Sequence, residues 1–329
     1  MKKAFLISLL LVSVIASCTD VDSCYSVNST IDSDEQTGLR YISNGDGTCG
    51  VSGSFLETEN NDMACVVPSI SPSGDTVISA IHFSGYVSSI TLPDTISSMN
   101  SYCFEECVGL KNVYLSDGMT WLSDYAFANC SDLVSITIPA TVEIIGNAAF
   151  QNCVSLREVK LPSSLIIIQL WAFQGCAELV KVDFPESLIE IGNKAFADCH
   201  VLTDVTFPSS LKFIDANAFS NCYEFKKIIF PGNVSRLSDY VLSGCRGLTS
   251  VILEDGVNTI RSGALWNTAI TSIFIPSSVK YIAGELFEEK KTGVKVYCEA
   301  EEKPSGWSSD WDNGYDVIWG AKRTDVEGK

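Results

Sequence analysis

Histidine is almost missing from this chain: His82 and His200 are the two in 329 residues. So few leave little for imidazole-based acid–base chemistry or imidazole metal ligation. The spacings that carry such chemistry are missing too, with no H-E-x-x-H, no G-x-S-x-G nucleophile elbow and no G-x-x-x-x-G-K-[ST] phosphate loop. Carboxylates are plentiful but have no base and nucleophile set beside them, so the sequence reads as a non-enzyme with no cofactor and no metal. Positive charge is short: 22 Lys and Arg stand against 40 Asp and Glu, a net charge of −18. A surface this acidic excludes nucleic acid and anionic membrane faces as natural partners, since both are polyanions. Long apolar runs are lacking as well. Beyond residues 4–15, nothing approaches the roughly 20 apolar residues of a membrane-spanning helix.

What the sequence has in abundance is repetition. Cysteine recurs at Cys107, Cys130, Cys153, Cys176, Cys199, Cys222 and Cys245, a constant step of 23 residues. Phenylalanine stands three positions earlier at Phe104, Phe127, Phe150, Phe173, Phe196 and Phe219, and proline nine later at Pro139, Pro162, Pro185, Pro208 and Pro231. The template is L-x-x-[IV]-x-[LIF]-P-x-x-[LV]-x-x-I-x-x-x-A-F-x-x-C. One copy is Leu156, Val159, Leu161, Pro162, Leu165, Ile168, Ala172, Phe173, Cys176. A fixed period of this size predicts a solenoid. A single coil cannot bury its apolar groups alone, whereas stacked coils bury them against each other. The Leu-x-x-Val-x-Leu stretch alternates and predicts a short strand, which proline ends because it has no N–H for the ladder. Adjacent strands must then be parallel and in register. The A-F-x-x-C stretch has i, i+3 spacing and predicts a short helical or 3-10 turn on the outer side.

The layout follows from these signals. Lys2, Lys3 and the short apolar run of residues 4–15 predict a signal peptide over 1–17. The run ends in Ile15-Ala16-Ser17-Cys18, which resembles a bacterial lipobox and would make Cys18 the lipidated first residue. The alternative is an ordinary small-residue cleavage site with an incidental cysteine. Residues 18–37 are acidic and predict a flexible tether. Residues 38–86 predict a β-rich N-terminal cap, with Asn44-Gly45-Asp46-Gly47 as a hairpin turn. Residues 87–291 are the repeats. The last coils drift: Glu254 stands in place of Pro, Val241-Leu242 in place of Ala-Phe, Thr268 in place of Cys, and Ile270 follows Leu248 by 22. Atypical terminal repeats are expected where a stack must stop. Residues 292–320 predict a C-terminal cap and 321–329 a loose charged tail.

The repeated template, the cysteine file and the tail Tyr297-Cys298-Glu299-Ala300, Pro304-Ser305-Gly306-Trp307, Asp310-Trp311 and Trp319-Gly320 resemble the BspA-like leucine-rich repeat family of cell-surface proteins. The likeness covers residues 38–320. It implies a leucine-rich-repeat-like right-handed superhelix and a role in adhesion or protein recognition. One departure limits the transfer: here the cysteine precedes the strand, where the better-known leucine-rich pattern places it after. With the N-terminal signals, the resemblance implies a secreted or cell-surface protein held at the bacterial outer membrane by a lipid on Cys18, membrane contact being through that anchor alone.

In-register thiols have Cβ atoms about 4.8 Å apart, too far for a disulfide, so the file reads as a buried column of small apolar groups donating weakly to turn carbonyls. A bridge among Cys24, Cys49 and Cys65, with Cys49–Cys65 the leading pair, stays open. The outward strand positions remain as a surface for a protein ligand from a host or bacterial surface. Candidate contacts are Tyr114, Lys160, Asp183 and an apolar column, Ile229, Ile252 and Phe274. The alternative is that the C-terminal cap folds over that column. Leu170 and Trp171 form a second candidate patch where neighbouring coils have Asn147-Ala148 and Asn193-Lys194, although Trp171 could pack across coils instead. Trp307, Trp311, Tyr315 and Trp319 could stack on a glycan, or could seal the open edge of the last coil. A structural spacer without its own ligand is the remaining reading.

Overall fold

The structure, a computed structural model, describes residues 31–34, 37–55, 63–288, 293–312 and 314–327. The expected signal peptide, Cys18 and Cys24 lie outside the described residues.

The expected stacking is present, and three lines of hydrogen bonds tie coils together, the two strand ladders falling into separate sheets along the stack. The first is a ladder of three-residue strands. Ser135–Thr137, Glu158–Lys160, Lys181–Asp183 and Asp204–Thr206 run parallel, with Ser135 opposite Glu158 and Lys181 opposite Asp204. Their central residues Ile136, Val159 and Val182 point inward and are buried. The second line is a ladder of two-residue strands, Trp121–Leu122, Ile144–Ile145, Ile167–Ile168, Glu190–Ile191 and Phe213–Ile214, also parallel. Between the two, the proline carbonyl closes a turn: Leu165 N–H reaches Pro162 O at 3.2 Å. A hydroxyl then steadies the coil before, as Ser164 Oγ donates to Val142 O at 2.6 Å and Ser187 Oγ to Leu165 O at 2.6 Å.

The third line corrects the expected helical turn. The A-F-x-x-C segment is a run of turns with no helix in it. Its alternate N–H groups leave the coil: Tyr102 N donates to Asp124 O at 3.0 Å, Phe104 N to Ala126 O at 2.8 Å and Glu106 N to Ala128 O at 2.9 Å. A helix would need those same groups for its own i−4 carbonyls. The remaining N–H groups close local turns, such as Cys107 N to Phe104 O at 3.2 Å. This geometry sets two residues per coil in the left-handed region. Tyr102, Tyr125, Ala148, Trp171, Lys194, Asn217 and Tyr240 hold the first slot, and Glu106, Asn129, Asn152, Asp198, Asn221 and Asn267 the second, with φ between 52° and 63°. Gly175 fills the second slot at φ 74°, and a Cβ there would lie 2.5 Å from Asn152 Oδ1.

Inside the coils, like meets like. Phe83, Phe104, Phe127, Phe150, Phe173, Phe196 and Phe219 stack ring on ring with centroids 4.9 to 5.4 Å apart. Beside them runs the thiol column. Each cysteine donates to the carbonyl of the phenylalanine in the preceding coil, from Cys130 to Phe104 O at 3.0 Å through Cys245 to Phe219 O at 3.1 Å. Cys49 and Cys65 are buried free thiols, so the pairing weighed for them does not form.

At the N-terminal end Leu39–Ser43 and Thr48–Phe55 make the expected hairpin, with Thr48 N–H bound to Asp46 Oδ1 at 3.0 Å. Ile31–Asp34, within the stretch read as tether, adds an antiparallel edge strand. Parallel stacking already joins Thr48–Phe55 to Thr76–Gly85 and Ala64–Val66 to Ser89–Thr91. At the other end Lys295–Cys298 and Asp316–Ile318 continue the first ladder beyond Ser272–Ile275. The tail is not loose: a short helix, Thr324–Glu327, follows Ala321, which is buried against Phe274 and Tyr297.

Candidate functional site

The first ladder presents one column of outward side chains for most of the length of the stack. Val66 faces Thr91, which faces Tyr114; further on, Thr137 faces Lys160 and Ile229 faces Ile252, Phe274 and Tyr297 in turn. Of the residues read from sequence as contacts, Tyr114 is 63% exposed, Ile229 is 43% exposed, Lys160 and Asp183 are exposed, and Ile252 is half-buried. Asp183 accepts an ion pair from Lys181 in its own strand at 2.7 Å. An exposed pair of this kind holds orientation more than it stabilises.

Phe274 is the correction. It is 7% exposed, because the tail crosses it. The Arg323 guanidinium lies 5.6 Å from the Phe274 ring centroid and donates to Leu253 O at 2.8 Å. The apolar column therefore runs open at Ile229, half-closed at Ile252 and shut at Phe274. Val66, 67% exposed at the opposite end, belongs to the same column and was missed by sequence reasoning. Its cue was weak, since nothing in Cys65-Val66-Val67-Pro68 shows which valine faces out.

The tail aromatics are turned inward. Trp307, Trp311 and Tyr315 are buried; the Trp307 and Trp311 rings meet at 4.6 Å edge to face, with Trp319 5.8 Å from Trp307. Trp307 Nε1 donates to Val279 O at 3.2 Å and Tyr315 Oη to Glu288 O at 3.3 Å. Packing against one another takes up most of the Trp307 and Trp311 surface, which favours the seal over the sugar-stacking reading, while Trp319 stays half-exposed.

The second ladder has its own outward column, which sequence reasoning also missed: Trp121, Ile144, Ile167, Glu190 and Phe213, each the register partner of the next. Leu170 and Trp171 sit just after it in their coil, both half-exposed. The cue was the run Leu165-Ile166-Ile167-Ile168-Gln169-Leu170-Trp171, with more apolar residues than one inward face can take.

The buried thiols are unsuited to reaction or ligation. Burial pushes Cys107 and Cys153 up to about 12, so both stay protonated near neutral pH, whereas nucleophiles and metal ligands are thiolates. Among the described residues no group of three or more His, Cys, Asp or Glu is placed to hold a metal ion. Nor is any described helix long and apolar enough to cross a membrane.

A stack of coils repeating every 23 residues, with parallel strands in register from one coil to the next, defines a leucine-rich-repeat solenoid. The chain belongs to the family described as "BspA type Leucine rich repeat region", which matches residues 69–179 and 168–292 in six copies. Among solved structures it is similar to a leucine-rich cell surface protein of Faecalibacterium prausnitzii A2-165, at 18% identity over 91% of this chain and 97% of that one, TM-score 0.46. A leucine-rich repeat protein of Bacteroides ovatus ATCC 8483 is 20% identical over 90% and 99%, TM-score 0.42. The pneumococcal vaccine antigen PcpA is 18% identical over 89% and 99%, TM-score 0.37. No curated protein matches the chain.

Proposed function

We propose that this is an exported, lipid-anchored cell-surface protein that holds a protein ligand on the outward side of its first ladder. The observation that carries the reading is the open column itself: Val66 and Tyr114 at one end and Ile229 at the other are large apolar or aromatic side chains held outward by in-register strands. Charged side chains stand between the two apolar ends, Lys160 and Asp183 in the column and Lys181 beside it, so a partner would meet apolar contacts at each end and charge at the middle. Aromatic anchors such as Tyr114 supply much of the binding energy where such surfaces are used. The N-terminal signals and the family support export, and Cys18 is the anchor.

Two experiments test this. Tyr114→Ala with Ile229→Asp should cut retention of the protein on immobilised extracellular-matrix proteins and on whole bacterial cells, with the melting temperature nearly unchanged. Undiminished retention on every surface would remove this site. Mass spectrometry of the mature N-terminus should find an acylated Cys18, and an unmodified N-terminus elsewhere would refute the anchor.

A further inference from the structure

The second ladder carries an apolar strip on a different side of the coil from the surface just described. Trp121, Ile144, Ile167, Glu190 and Phe213 follow one another in register. The coil 165–171 widens the strip: Ile166, Leu170 and Trp171 are half-exposed there, where the coil before places Glu143, Asn147 and Ala148. Phe213 closes the strip at 52% exposure.

One carboxylate interrupts this surface. Glu190 stands between Ile167 and Phe213. Burial raises its carboxyl above the ordinary value, the Asp215 carboxylate adds to that, and no described cation, Lys194 and Lys212 included, lowers it again. Asp215 itself turns to Arg236 at 3.8 Å. A half-buried acid among isoleucines without a counter-ion is costly for the free protein and is relieved by a base brought from outside.

We infer that this strip is a second docking surface, for a partner segment that sets one lysine or arginine among apolar side chains, with the base seated on Glu190. Its aliphatic floor of Ile144, Ile166 and Ile167 takes the apolar groups. The flanking rings of Trp121, Trp171 and Phe213 suit a cation as well as an aliphatic chain. The net charge of −18 draws such a segment in.

Matched synthetic peptides test this on the full chain: one set with Lys or Arg at the centre of Leu, Ile and Phe, the other with Glu at that position. The basic set should bind at least about tenfold more tightly. Phe213→Ser should weaken it, and Glu190→Lys should turn the preference towards the Glu set, a reversal no misfolded variant could produce. Equal binding of the two sets, or a basic preference that survives Glu190→Lys, would overturn the inference. So would self-association abolished by Phe213→Ser, which would make the strip a face between two copies. Ile229→Asp should leave this binding unchanged; loss there would move the peptide to the first ladder and overturn the assignment.

Discussion

The thiol of Cys153 donates to the backbone carbonyl of Phe127, one coil back, at 3.1 Å. The same bond recurs down the column, at 3.2 Å from Cys176 to Phe150 O and 3.3 Å from Cys199 to Phe173 O. Because that carbonyl also accepts from Cys130 N, the thiol contributes mainly by filling its slot. Cys153→Ala should therefore cost about 1–2 kcal/mol, read as a lowered urea midpoint at unchanged slope.

Alkaline pH should weaken the fold. Burial raises Cys107 and Cys153 from 9.0 to about 12. Their contribution is complete below pH 9, where both the folded and unfolded chain hold the proton, and it declines as pH rises towards 12 because unfolded thiols ionise first. At pH 10 each of the two should have lost on the order of 1 kcal/mol. Calorimetry from pH 7 to 11 should show the decline, with a shallower slope in Cys153→Ala.

Phe150 lies 5.3 Å from Phe127 and 5.0 Å from Phe173, ring centroid to centroid. Truncation to alanine should cost about 3–5 kcal/mol. Since coils contact only their neighbours, hydrogen exchange should quicken in the coils carrying Phe127 and Phe173 and stay unchanged at Phe219.

Asn152 holds φ at 57°. Asn152→Val should cost about 1–2 kcal/mol, because a β-branched residue resists the left-handed region, while Asn152→Gly should stay within a few tenths. Thermal melts of the pair separate backbone strain from the loss of the side-chain bond to Asn129 Oδ1 at 3.1 Å, which both variants share.

Trp311 is buried between Trp307 and Trp319. Trp311→Ala should cost about 3–5 kcal/mol as a lost seal. Polysaccharide binding lost at unchanged stability would instead restore the sugar-stacking role.

Much of the fold was legible because a 23-residue step maps each side chain onto its own copy: the strands, the phenylalanine file and the thiol column all follow from it. The outer turn was misread because i, i+3 spacing brings two residues to one side in a helix and in a chain of turns alike. The distinguishing signal stood just before each cysteine. Asn129, Asn152, Gly175, Asp198, Asn221 and Gly244 are the residue types that tolerate left-handed backbone, whereas helix interiors disfavour most of them. A cover over the Ile229, Ile252 and Phe274 column was one of two readings left open, but that the tail supplies it at Phe274 was not legible. Arg323 sits in a charged run, and nothing local says that it reaches the sheet. Glu190 and Phe213 were overlooked because polar and apolar residues mix at that slot, and only the register of neighbouring coils makes a strip of them.

Arg323 reaches back 70 residues to Leu253 O. Fraying at that end is consequently not a matter of losing one coil at a time. Release of the arginine frees the cap and the strands beneath it together, so a protease should find the C-terminus either uncut or trimmed in one large step.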